Sequence, residues 1–140
     1  MLALSRRLAA LVVGPTGLAL APDGTLYIAN SVVNKLTKIV NATTTTSASP
    51  GVTLTSGGSL NDPLGLAIAP NGDVLSTNGG DGNLVETAPS GRQIVVKMLD
   101  TSPVPPRPNG NGTLFGLVVA PRGLGVYFVD DGRNDLNILR

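Results

Sequence analysis

The side chains able to do chemistry in this chain are oxygen donors gathered at recurring places. They are Asn30 with Asn34, Asn78 with Asp81 and Asn83, and Asp130 with Asp131 and Asn134, while Asp62 stands in a connector between the first two groups. Carboxylates and amides converging on one rim suit Ca2+ or another hard, oxygen-seeking divalent cation. Asp130 and Asp131 are the best pair for such an ion, because adjacent carboxylates in one tight loop repel unless a cation or an arginine offsets them. Arg133 stands close enough in sequence to be that arginine. The same residue types also build Asx turns, through which a chain reverses between strands, and that structural role is the expectation for each residue taken singly.

What the composition lacks removes most other chemistry. There is no Cys and no His, which excludes disulfides, thiolate nucleophiles, imidazole bases and the commonest zinc ligands. Ten basic and nine acidic residues are scattered singly for a net charge of +1, so no basic stripe offers itself to phosphates and nucleic acid is not an expected partner. Aromatics make up 3% of the chain and Trp is absent; any core is aliphatic. No catalytic residue and no cofactor is expected beyond the divalent cation considered above.

The elements that carry these residues follow from an internal repeat. Gly-Leu-Ala-Leu-Ala-Pro-Asp-Gly at 17–24 returns as Gly-Leu-Ala-Ile-Ala-Pro-Asn-Gly at 65–72 and as Gly-Leu-Val-Val-Ala-Pro-Arg-Gly at 116–123. A nearly continuous apolar run reads as a strand covered on both faces. The Ala-Pro-x-Gly after it reads as a tight turn, since Pro fixes φ and Gly accepts φ > 0. A second strand therefore returns antiparallel and closes on Asn30, Asn78 or Asp130. Third strands are expected at 35–40, 83–87 and 135–139, and fourth strands at 52–55 and 93–99.

Four strands in a unit of about 50 residues make a propeller blade. The chain is thus expected to be all-β, one segment of three four-stranded antiparallel blades from an incomplete six-bladed propeller. The blades span 14–56, 64–99 and 114–140, the last without its fourth strand. A spare strand at 9–13 is in the place a ring uses to close on itself. Arg6-Arg7 ahead of it are not read as an export signal, because the apolar run after them is short and lacks a small-residue cleavage site. No stretch approaches the roughly 20 apolar residues of a membrane span, and the compartment is left open.

The segment from Pro15 to Asn30, continuing through Asn34-Lys35-Leu36-Thr37-Lys38-Ile39, resembles an NHL repeat, and the other two units are looser versions. Taken over nearly its whole length, the chain is similar to the C-terminal half of a group of bacterial six-bladed NHL-type propellers. That resemblance implies a binding or interaction scaffold whose ligand or protein partner sits on the rim shared by the loops after the second and fourth strands. The residues placed there are Asn30, Asn34, Asn78, Asp81, Asp130, Asp131 and Asn134.

The alternative is a metal-dependent, gluconolactonase-like hydrolase. That family has an Asn before Gly-Leu and an Asp closing the second strand as metal ligands. Here Thr16, Leu64 and Phe115 hold the first position and Asn30, Asn78 and Asp130 the second, so no blade keeps both. Glu86, the only Glu, lies in a third strand and cannot stand for the family's N-terminal ligand. A streptogramin-lyase-like reading needs a catalytic His that the chain lacks. Pro103 to Pro108 resembles a polyproline ligand, but reads more simply as a stiff connector.

Propellers close with about 4–8 blades, so three blades require completion. Either a longer chain supplies the missing blades, or a second copy does so as a homodimer.

Overall fold

A computed structural model describes residues 14–47 and 51–140; the strand expected at 9–13 lies outside the described residues. The described residues form β1 (Pro15–Leu20), β2 (Leu26–Asn30), β3 (Lys35–Ile39), β4 (Val52–Ser56), β5 (Pro63–Ile68), β6 (Val74–Asn78), β7 (Asn83–Thr87), β8 (Gln93–Met98), β9 (Leu114–Val119), β10 (Val126–Asp130) and β11 (Asp135–Leu139). These make three antiparallel meanders, β1 to β4, β5 to β8 and β9 to β11. Among the described residues no helix is long and apolar enough to cross a membrane.

The Ala-Pro-x-Gly turns behave as their residues dictate in the first two blades. The Gly24 and Gly72 amides donate to the Ala21 and Ala69 carbonyls, each at 2.9 Å, and both glycines take positive φ. Asp23 and Asn71 brace the turns by accepting from the amides two residues on, at 2.8 and 3.1 Å. The third turn differs. Arg122 has no such acceptor and itself adopts φ 62°; the extra residue Leu124 follows, a short 3-10 turn forms at Pro121–Gly123, and Ala120 closes on Gly125 instead.

The inner strands β1, β5 and β9 stand side by side. Thr16 donates to the Pro63 carbonyl at 2.8 Å, and Thr77 to the Phe115 carbonyl at 2.5 Å. A glycine in each inner strand permits this approach: a Cβ on Gly17 would stand 2.2 Å from the Leu64 carbonyl oxygen, and one on Gly65 2.3 Å from that of Phe115. Burial on both faces holds for β5, the middle inner strand, whereas β1 is exposed at Leu18 and Leu20.

Alternation along the strands sorts the blade faces. Tyr27, Ala29, Leu36 and Leu54 of the first blade pack on Leu66, Val74 and Val85 of the second, with Leu60 of the connector between them. The opposite face of the second blade buries Ala67, Leu75 and Leu84. Leu114 and Phe128 of the third blade are buried as well. The Pro-rich connector is folded back on itself: Arg107 donates its amide to the Val104 carbonyl at 2.7 Å.

Candidate functional site

Three turns join second to third strands on one rim, and each ends in a left-handed residue that reverses the chain: Asn34 at φ 48°, Gly82 at 71° and Asn134 at 56°. Asn and Gly are the residues that tolerate this conformation. The connectors after the fourth strands run along the same rim. Gly57 donates to the Asn34 carbonyl at 2.7 Å, Gly79 to Asp62 at 2.8 Å, Gly112 to Gly79 at 2.6 Å and Asp131 to Thr113 at 2.7 Å. The amides and carboxylates singled out from the sequence therefore do gather on one edge of the three blades.

Most of them are engaged in holding that edge together. The Asn34 side-chain oxygen accepts the Asp62 amide at 2.6 Å, tying the first turn to the next connector. Asn78, fully buried, donates from Nδ2 to the Ser59 carbonyl at 2.8 Å and to Asp81 Oδ1 at 3.1 Å. Asp81 Oδ1 also accepts the Asn83 amide at 3.1 Å, while its Oδ2 accepts from Asn61 Nδ2 at 3.2 Å. Asn30, Asn78 and Asp130, equivalent in the repeat, are all buried. The outward-facing groups are Asn61, Asp62, Asp131, Arg133 and Asn134.

At the third blade Arg133 bridges two carboxylates. Its NH2 nitrogen lies 3.3 Å from Asp100 Oδ1 and its Nε 3.7 Å from Asp130 Oδ2; its backbone amide donates to Asp130 Oδ1 at 3.2 Å. Ser102 adds its amide at 3.0 Å and its hydroxyl at 2.7 Å to Asp100 Oδ1. Burial pushes the Asp100 carboxyl up, but the Ser102 hydroxyl and amide, the neighbouring Thr113 hydroxyl and the Arg133 charge outweigh it and hold the group below the usual carboxylate range. Asp130 moves the other way. Burial, then the charges of Asp100 and Asp135, raise it against the opposing pull of Arg133.

Asp100 was not singled out from the sequence, although Asp-Thr-Ser directly after a fourth strand is the pattern of a side chain capping the amide two residues on. Asp131 does not join Asp130 in a shared pocket: it is exposed, and its amide is turned to Thr113. No group of three or more carboxylate, His or Cys side chains is placed to hold a metal ion among the described residues. At the positions equivalent to the lactonase ligands, Thr16 donates to a backbone carbonyl and Asp130 is paired with Arg133. The opposite end of the inner strands opens into an apolar trough of about 940 Å3, lined by Leu18, Leu20, Leu66, Ile68, Val118 and Val119.

No family model matches the chain, and no curated protein matches it in sequence. Solved structures do. A virginiamycin B lyase from Staphylococcus aureus superposes with TM-score 0.70 at 16% identity, covering 96% of this chain and 40% of that one. A catalytically inactive His-to-Ala variant of a virginiamycin B lyase from the same organism, with quinupristin, gives 0.62 at 15%, covering 90% and 41%. Regucalcin from Agrobacterium tumefaciens, a calcium-binding protein, gives 0.63 at 15%, covering 82% and 37%. A gluconolactonase from Xanthomonas campestris gives 0.61 at 16%, covering 85% and 36%. These likenesses establish a β-propeller fold. The chain spans about two fifths of the length of these proteins.

Proposed function

We propose that this chain is an NHL-type propeller segment that serves as a non-catalytic binding scaffold. Its ligand is a polar molecule or protein surface engaged by the outward groups of the rim, Asn61, Asp62, Asp131, Arg133 and Asn134. The observation that carries this reading is the closure of the rim on itself. Asp81, Asp100 and Asp130 all accept from neighbouring amides, hydroxyls or the Arg133 guanidinium, so these carboxylates position the turns. The NHL assignment is supported by the 15–39 segment, the copy that carries the repeat most fully.

The activities of the structural neighbours do not transfer by residue. The lyase variant inactivated at a His has no counterpart to that residue here, because the chain contains no His. A lactonase would need a ligand pair that no blade supplies. The test is hydrolysis of a sugar lactone by the purified chain with Ca2+, Mg2+ or Mn2+, each with and without chelator. A scaffold leaves the lactone at its uncatalysed rate throughout. A rate that requires the divalent ion, falls on chelation and returns on re-addition overturns the reading.

A further inference from the structure

The three Ala-Pro-x-Gly turns stand at the end of the inner strands remote from the rim, and their third residues are put to different uses. Asp23 and Asn71 are turned back on their own loops, accepting the amides two residues on at 2.8 and 3.1 Å. Arg122, at the same repeat position, is exposed, and its guanidinium makes no hydrogen bond or ion pair among the described residues. It also holds φ 62°, a left-handed backbone that neither Asp23 nor Asn71 adopts. That conformation disfavours an arginine and suits a glycine. Strain at a single position of a repeat marks a candidate functional residue.

Arg122 is also part of the wall of the apolar trough of about 940 Å3. All three inner strands and the turns after them build that wall, with Leu66 and Ile68 of the second blade facing it beside Val118 and Val119 of the third. Among the described residues that line it, Arg122 alone carries a charge. Asp23 does not line it, and its carboxylate is occupied by the Thr25 amide. The trough is thus concave, aliphatic and cationic at one turn. Small-molecule sites have this make-up: about 300–1,000 Å3, mostly apolar, with a few polar groups that fix orientation.

We infer that the trough is a binding site for an amphipathic carboxylate, a molecule with an alkyl body and one carboxylate at its end. The alkyl chain lies along the inner strands, and the carboxylate meets the Arg122 guanidinium at the third turn. Charge complementarity selects this occupant. The planar guanidinium fork matches a carboxylate in bidentate fashion, and one cation balances one anion. An alcohol leaves the guanidinium without a counter-charge, and an alkylammonium is repelled by it. The site lies at the opposite end of the strands from the rim, and the inference does not rest on what the rim binds.

The experiment is calorimetric titration of the full 140-residue chain with octanoate, decanoate and octanol, each below its micelle or solubility limit. Both carboxylates should bind saturably. Decanoate should be the tighter by roughly two- to fourfold per added methylene, and octanol about tenfold weaker than octanoate, as expected for loss of a bond to a charged group. Arg122→Gln and Arg122→Gly should each weaken decanoate by about tenfold. The glycine variant suits the left-handed backbone, so its Tm should equal or exceed that of the native chain. Val118→Glu, at a wall position 58% exposed, should weaken decanoate with the circular dichroism spectrum unchanged. Absence of saturable binding by the native chain overturns the inference, as does an affinity that the Arg122 variants leave unchanged or that octanol shares. Binding lost in Arg122→Gln and kept in Val118→Glu overturns the trough as the site.

Discussion

The Arg133 guanidinium stands 3.3 Å from the carboxylate of Asp100, which reaches it from the connector after the second blade, and so one side chain of the third blade locks the rim of both. Asp100 is completely buried while Arg133 is half-exposed. The same carboxylate accepts the Ser102 amide and hydroxyl, so neutralising it weakens those bonds together with the pair. Asp100→Asn is expected to cost about 1.5–3 kcal/mol, the range for hydrogen bonds to a charged group, and to lower Tm by several degrees. Thermal denaturation checks it.

The pH dependence of that cost has a definite sign. Asp100 titrates below its ordinary range in the folded chain, so its contribution is present above the unfolded carboxylate pKa and is lost as pH falls through the folded one. The stability gap between the native chain and Asp100→Asn should therefore narrow on acidification from about pH 6 to pH 3. Melting curves across that window test it; a gap that widens contradicts the assignment.

Asp130 titrates above its ordinary range, and its contribution is present in acid and lost as pH rises through the raised value. Asp130→Asn gives the third blade the residue its equivalents already carry, Asn30 and Asn78, and retains an oxygen for the Arg133 amide. The variant should gain stability relative to the native chain as pH rises from about 3 to 7. Chemical denaturation at the two ends of that range measures the change.

Two substitutions separate conformation from hydrogen bonding at the first rim turn. Asn34→Ala loses both the tolerated left-handed backbone and the bond to the Asp62 amide, whereas Asn34→Gly loses only the bond. The alanine variant should be the less stable by about 1–2 kcal/mol. Gly82, at the same place in the second blade, already shows that glycine fits.

At the inner strands, Gly65→Ala forces a methyl to within 2.3 Å of the Phe115 carbonyl and 2.8 Å of Leu117. Overpacking against backbone is expected to cost at least about 1–3 kcal/mol. Gly17→Ala, facing Leu64, should behave alike.

The pattern of legibility follows from the range of the interactions. Ala-Pro-Asp-Gly and Ala-Pro-Asn-Gly announce their turns because Pro, Asx and Gly act within four residues, and the second strand starts at Leu26 and Val74 because Thr25 and Asp73 still belong to the turn. The third turn escapes that reading: Arg122 removes the side-chain acceptor and Leu124 lengthens the loop. Asn34 and Asn134 were visible as turn formers. Asp100 was not, since its importance comes from an arginine in the next blade. Nor did spacing reveal that Asn30, Asn78 and Asp130 lie beneath the rim rather than on it; Asn78 is held there by the connector carbonyl of Ser59.

The claim that the rim carboxylates hold the fold rather than an ion is tested most directly by calorimetric titration of the chain with Ca2+. With Asp130 paired to Arg133 and Asp131 turned away, the expected result is no saturable heat up to millimolar ion, and the same trace for Asp130→Asn. Saturable binding at micromolar Ca2+ that disappears in Asp130→Asn would contradict the account and make the third-blade rim a metal site.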